Sequence, residues 1–129
     1  MTSPKAIIHE FFQKIRSGKK LSLVNDFMHD PVIAHQVQSE GEYSVLRSPK
    51  DYAQHVAEMI EQYGAFDLEI EEILADENKV YVRWKQISKG LKPKEIVEIA
   101  SAVYLIRDRK ISEYWIQVDR KGVELQLEN

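Results

Sequence analysis

Cysteine is absent from the 129 residues. That removes disulfides, thiolate metal sites and thiol nucleophiles together, and it fits a reducing compartment. No apolar run approaches the length of a membrane helix. Met1 to Lys5 shows no basic segment leading into an apolar stretch of signal-peptide length, so the expected location is cytoplasmic. Neither sign of charge dominates: 18 basic and 21 acidic side chains, spread along the chain, leave a formal charge of −3. Without a basic field, nucleic acid is not an expected partner. No serine sits in a Gly-x-Ser-x-Gly context and no phosphate-binding glycine loop is present. The four histidines, His9, His29, His35 and His55, form no pair at i,i+4 or short-loop spacing, so no metal site is expected. There is no repeat, low-complexity tract or linker.

What is present reads as one domain with a single core. Ser3 is a helix N-cap followed by Pro4, and Ile7, Ile8, Phe11, Phe12 and Ile15 recur at helical spacing up to Gly18. Leu21, Val24, Phe27 and Met28 predict a second, shorter helix that Asp30-Pro31 stops, with a short strand from Val32 to Val37. A polar loop, Gln38 to Glu42, leads to a third helix announced by Ser48, Pro49 and Asp51; Tyr52, Val56, Met59, Ile60 and Tyr63 give it one apolar face, and Gly64 ends it. From Phe66 the period changes to two. Four runs of strand length, separated by turn-like Asp76–Lys79, Gly90–Pro93 and Arg107–Lys110, predict an antiparallel meander. Three N-terminal helices on a curved antiparallel sheet make an α+β domain, residues 1–129, whose concave side can keep a cavity. The outer sheet face would leave apolar surface exposed in a monomer, so a homodimer through that face is expected.

The order of elements resembles the NTF2-like superfamily and, within it, the SnoaL-like polyketide cyclase and isomerase group. The resemblance rests on the stretch from Ser17 to His35, the strand from Lys79 to Trp84, and the last strand with Ile111, Glu113, Trp115 and Asp119 followed by Leu125, Gln126 and Leu127. It implies a cone-shaped fold with a hydrophobic pocket, usually in a homodimer, and no metal or organic cofactor. It further implies a general acid-base role for Asp119, with His35 where first-strand pocket residues occur in the family. The basic connection from Lys85 to Lys94 is shorter than the family's usual one, so pocket shape and substrate do not transfer.

The candidate catalytic residues are therefore Asp119 and His35, and the candidate ligand contacts are Trp84, Trp115, Gln117, Tyr43, Tyr52 and Met59. Each has a plainer reading: Asp119 as a solvated or turn-forming carboxylate, His35 as a hydrogen-bonded core residue, the tryptophans as core aromatics. Alternation puts Ile111, Glu113, Trp115, Gln117 and Asp119 on one face of the last strand and Ser112, Tyr114, Ile116 and Val118 on the other. The second set is the more apolar, so the direction of the first decides whether Asp119 reaches a pocket. One function fits a pocket-facing Asp119: a cofactor-independent isomerase or cyclase acting on a hydrophobic carbonyl compound. A non-catalytic ligand-binding or protein-interaction module fits the other arrangement.

Overall fold

The computed structural model describes residues 2–90 and 95–128. Helix α1 (Pro4–Phe11) starts where Ser3 accepts a hydrogen bond from the Ala6 N–H at 3.1 Å, and it widens into a π turn over Phe12–Arg16. Gly18, at φ 81°, ends this segment. A 3₁₀ turn (Leu21–Asp26) follows, then β1 (Met28–Gln36), β2 (Tyr43–Arg47), α2 (Pro49–Tyr63), β3 (Phe66–Asp76), β4 (Lys79–Ser88), β5 (Ile96–Arg107), β6 (Lys110–Val118) and α3 (Arg120–Leu127). The capping box expected at α2 is complete: Ser48 Oγ accepts from the Asp51 N–H, and the Asp51 carboxylate accepts from the Ser48 N–H. None of the described helices is long and apolar enough to cross a membrane.

The strands form one sheet in the order β2-β1-β6-β5-β4-β3. The meander β3 to β6 is antiparallel throughout, as the period-two runs predict. Its last turn, Asp108-Arg109, has both residues at positive φ (49° and 67°), the backbone that matches the twist of a two-residue hairpin. The helices α1 and α2 cover one face of the sheet, α1 against β3 and β4 and α2 against β1 and β2. Phe11 sits at the middle of the core, its ring 5.6 Å from that of Tyr52 and 5.7 Å from that of Tyr104. Trp84 is fully buried, edge-on to Phe12 at 4.8 Å. Full burial of a large apolar side chain contributes about 1.5–3 kcal/mol relative to exposure.

The α+β architecture and the curved sheet are as expected, with four differences. Leu21 and Val24 are three apart, which suits a 3₁₀ turn; the chain is already a strand at Met28 and passes through a cis Asp30-Pro31 peptide. The pairing of β1 shifts register across that proline, which cannot donate to a ladder. Between the loop expected at Gln38–Glu42 and the helix starting after Ser48, Tyr43–Arg47 forms an edge strand. The pairing of β1 with β6 is parallel, so the sheet is mixed. The tail after Asp119 is a helix. Of the turn expected at Gly90–Pro93, residues 91–93 lie outside the described residues.

Candidate functional site

The inward parity of β4 reads Val80, Val82, Trp84, Gln86, Ser88, all buried, so its polarity rises toward the C-terminal end of the strand. Glu98 of β5 pairs in register with Gln86, and Gln36 ends the inward series Val32, Ala34, Gln36 of β1. The ends of β1, β4 and β6 and the start of β5 share one edge of the domain, because β1 and β6 run parallel and β5 opposes both β6 and β4. Polar side chains are therefore gathered at one end of an otherwise apolar interior. The π turn delivers Arg16 to the same place. Such turns are uncommon and concentrate at functional sites.

These groups line a partly enclosed cavity of about 130 Å³, with walls from Arg16, Gln36, Arg47, Tyr52, His55, Val56, Met59, Glu98, Tyr114, Ile116 and Val118. Arg16 is only 4% exposed, and its guanidinium lies 5.6 Å from the centre of the Trp84 ring and 3.8 Å from the Glu98 carboxylate. Arg16 Nε and Nη1 and Arg47 Nε are buried without a hydrogen-bond partner among the described residues. Burial pushes the Glu98 carboxyl above the usual carboxylate range, against the opposing pull of Arg16. Desolvation and the positive charges of Arg47 and Arg16 hold His55 below its ordinary value, although it sits at the mouth and keeps substantial solvent exposure. Tyr52 and Tyr114 are both pushed up by burial and stay as neutral phenols. A larger depression of about 450 Å³ lies at the opposite end of the sheet, lined by Pro4, Asn78, Arg107, Asp108 and Arg109; Arg107, Asp108 and Arg109 are exposed there.

A family model for SnoaL-like polyketide cyclases matches residues 6–127. The chain belongs to the SnoaL-like polyketide cyclase family. No curated protein matches it in sequence. Among solved structures, a candidate polyketide cyclase from Acidithiobacillus ferrooxidans superposes with a TM-score of 0.80 at 18% identity, over 99% of this chain and 96% of that one. Wild-type IdmH, a candidate polyketide cyclase from Streptomyces antibioticus, gives a TM-score of 0.80 at 14% identity, over 98% and 99% of the two chains. An LEH-like epoxide hydrolase of M. tuberculosis gives 0.69 at 17% identity, over 97% and 92%. At these identities the likeness shows the shared fold.

In this SnoaL-like chain the sequence-predicted residues fall into two groups. Tyr52 and Met59 line the cavity. Trp84 belongs to the core, where Phe12 and Arg16 cover its ring. The face of β6 carrying Trp115 and Gln117 points away from the helices, while Tyr114, Ile116 and Val118 point in. On that outer face His35 stacks on Trp115 at 5.0 Å, with Nδ1 2.5 Å from Ser44 Oγ and Nε2 2.5 Å from a Glu113 carboxylate oxygen. Tyr43, half exposed, lies on the edge strand β2. The exposed Asp119 carboxylate caps α3, accepting from the Gly122 N–H at 3.0 Å. Asp119 and His35 therefore do not meet on the cavity, because the apolar parity of β6 is the one that the core takes. The partners of His35 are Ser44, Glu113 and Trp115.

Arg16, Arg47, His55 and Glu98 were absent from the sequence-based candidates. Two of them carried a legible signal. Arg16 follows Phe12 by four residues, on the apolar stripe of the first helix, where a solvated cation is out of place. Glu98 shares strand parity with Ile96, Ala100 and Ala102.

Proposed function

We propose that this SnoaL-like chain catalyses proton transfer next to a carbonyl group, as an isomerase or cyclase of small molecules, and that the interior cavity is where it does so. The observation that carries this reading is one cavity lined by a carboxyl with raised proton affinity, an imidazole with lowered proton affinity, and two guanidiniums with unused donors. Burial brings Glu98 and His55 closer in proton affinity than they are in water, the condition for passing a proton through a substrate. Neutral His55 removes a proton from the carbon beside the carbonyl. The N–H groups of Arg16 donate to the developing enolate oxygen, fixed in advance where the charge appears. Protonated Glu98 then returns a proton at another atom, or the enolate carbon attacks a second carbonyl and closes a ring. In the ring closure Glu98 protonates the new alkoxide oxygen; in either case solvent at the mouth then takes the proton from His55 and returns one to Glu98.

The test is hydrogen-deuterium exchange at carbons adjacent to carbonyls, followed by NMR for a panel of small ketones and oxo acids. Glu98→Gln and His55→Gln are each expected to slow exchange at least about 10²-fold, and Asp119→Asn to leave it intact. If Asp119→Asn alone abolishes exchange, the chemistry belongs to the rim. Binding without exchange for every compound would leave a ligand-binding module.

The outer sheet face carries exposed Ile33, Leu46, Leu74 and Ile99 beside the stacked His35 and Trp115. This apolar content supports a second copy of the chain as the partner on that face.

A further inference from the structure

We infer that the ligand of this cavity carries a carboxylate, and that it is a compact oxo acid of roughly benzene's bulk rather than a polycyclic ketone. The inference rests on the proposed site and names its substrate class. A guanidinium has five N–H donors and no way to become neutral in a protein. Arg16 is 4% exposed, its Nε and Nη1 have no acceptor among the described residues, and the Glu98 carboxyl stands off at 3.8 Å. A buried cation in that state lacks the paired oxygens that guanidinium geometry matches best. Arg47 adds a second buried donor on the same wall. Two permanent positive charges face one carboxyl, whose raised proton affinity weakens its ability to neutralise either. One added carboxylate on Arg16 restores the charge balance and gives an acceptor to a donor that has none.

Size limits the rest of the molecule. A cavity of about 150 Å³ holds benzene, and this one is about 130 Å³. Ile116, Val118, Val56 and Met59 supply an apolar side for a short alkyl or ring portion. With the carboxylate on Arg16, a carbonyl next to it stays within the polar end of the cavity.

The experiment pairs 2-oxobutyrate with its neutral isostere 2,3-pentanedione, which has the same number of non-hydrogen atoms and the same exchangeable methylene. Binding is read by NMR chemical-shift titration of the wild-type protein, with 2-naphthoate as an oversized carboxylate. The expected result is saturable binding of 2-oxobutyrate at least about tenfold tighter than of 2,3-pentanedione, with no saturation by 2-naphthoate. Arg16→Gln is expected to remove the preference. Arg47→Gln, at the less buried guanidinium, provides a second reading should Arg16→Gln not fold. Equal affinity for the two isosteres, no binding of 2-oxobutyrate up to about 10 mM, or tighter binding of 2-naphthoate each overturns the inference. The two proposals fail separately: 2-oxobutyrate bound without isotope exchange defeats the acid-base reading alone. Exchange of 2,3-pentanedione with no preference for the acid defeats the carboxylate alone.

Discussion

Replacing Arg16 with methionine exchanges a buried cation for an apolar side chain of similar length, and its effect on stability tests whether that cation is satisfied without a ligand. Each buried donor lacking a partner costs about 1–3 kcal/mol, and Arg16 has two, Nε and Nη1. Water drawn into the cavity offsets part of that, at about 0–2 kcal/mol of immobilisation per molecule. Against the relief stands the lost contact with the Trp84 face, about 1–2 kcal/mol when desolvated, and the long ion pair with Glu98. The sum is a change between zero and about 2 kcal/mol in favour of the variant, or up to about 8 °C in melting temperature. Urea denaturation followed by circular dichroism reads it as a raised midpoint at constant slope. Breaking a fully satisfied buried pair instead costs about 3–5 kcal/mol. A loss of that size would refute the reasoning, because it would mean that Arg16 is already partnered in the free protein.

The pH dependence of stability follows from the two cavity groups. Glu98 has a folded proton affinity above its unfolded value of 4.5, so its contribution is fully present below pH 4.5 and disappears as pH rises through the folded value; Glu98→Gln should flatten that decline in denaturation midpoints. His55 is shifted the other way from 6.5, so its contribution is present above 6.5 and is lost on acidification, and His55→Gln should remove that loss. Gly64 has φ 82° and ψ 175°, and an added Cβ would lie 2.5 Å from Gly90 Cα; Gly64→Ala should cost about 2–4 kcal/mol in thermal or chemical melts. Asp119→Ala should lose about 1 kcal/mol and expose the α3 amides to hydrogen exchange, whereas Asp119→Asn, an equally good cap, should change little. Leu46→Glu should keep the melting temperature and yield a monomer by light scattering; a wild-type protein that is already monomeric at high concentration would remove the proposed pairing.

Much of the frame was legible because local chemistry and tertiary structure agree there. Ser3-Pro4 and Ser48-Pro49-Asp51 start helices, Gly18 and Gly64 end them, and the four period-two runs are the four strands of the meander. The site was harder to read. Alternation separates two faces of β6 without saying which is inward; the burial of Tyr114 in the core decides it. The carboxylate of Asp119 looked chemical because it follows a strand; it also precedes a helix, and the cap explains it. Gln126 shows why that tail could not be assigned from pattern alone. Its side-chain amide donates to the Val97 carbonyl and accepts from the Val97 N–H, imitating a strand residue from a helix. Arg16 and Glu98 reach each other only through the sheet's curvature and the π turn, which no short-range signal specifies.

The parallel pairing of β1 with β6 has a temporal meaning. Ala34 emerges from the ribosome long before its neighbour Tyr114, and every strand between them has to be made first. Closing so long a loop is entropically slow compared with zipping the hairpins of β3 to β6. Until the final strand is made, β1 of the β1-β2 hairpin lacks its partner along the other edge. Pulse-labelled hydrogen exchange during refolding is expected to protect β4 and β5 before β1. The cavity, whose walls run from Arg16 to Val118, closes only when β6 is in place: a nascent chain stopped before β6 has Arg16, Arg47, His55 and Glu98 but not the wall of Tyr114, Ile116 and Val118.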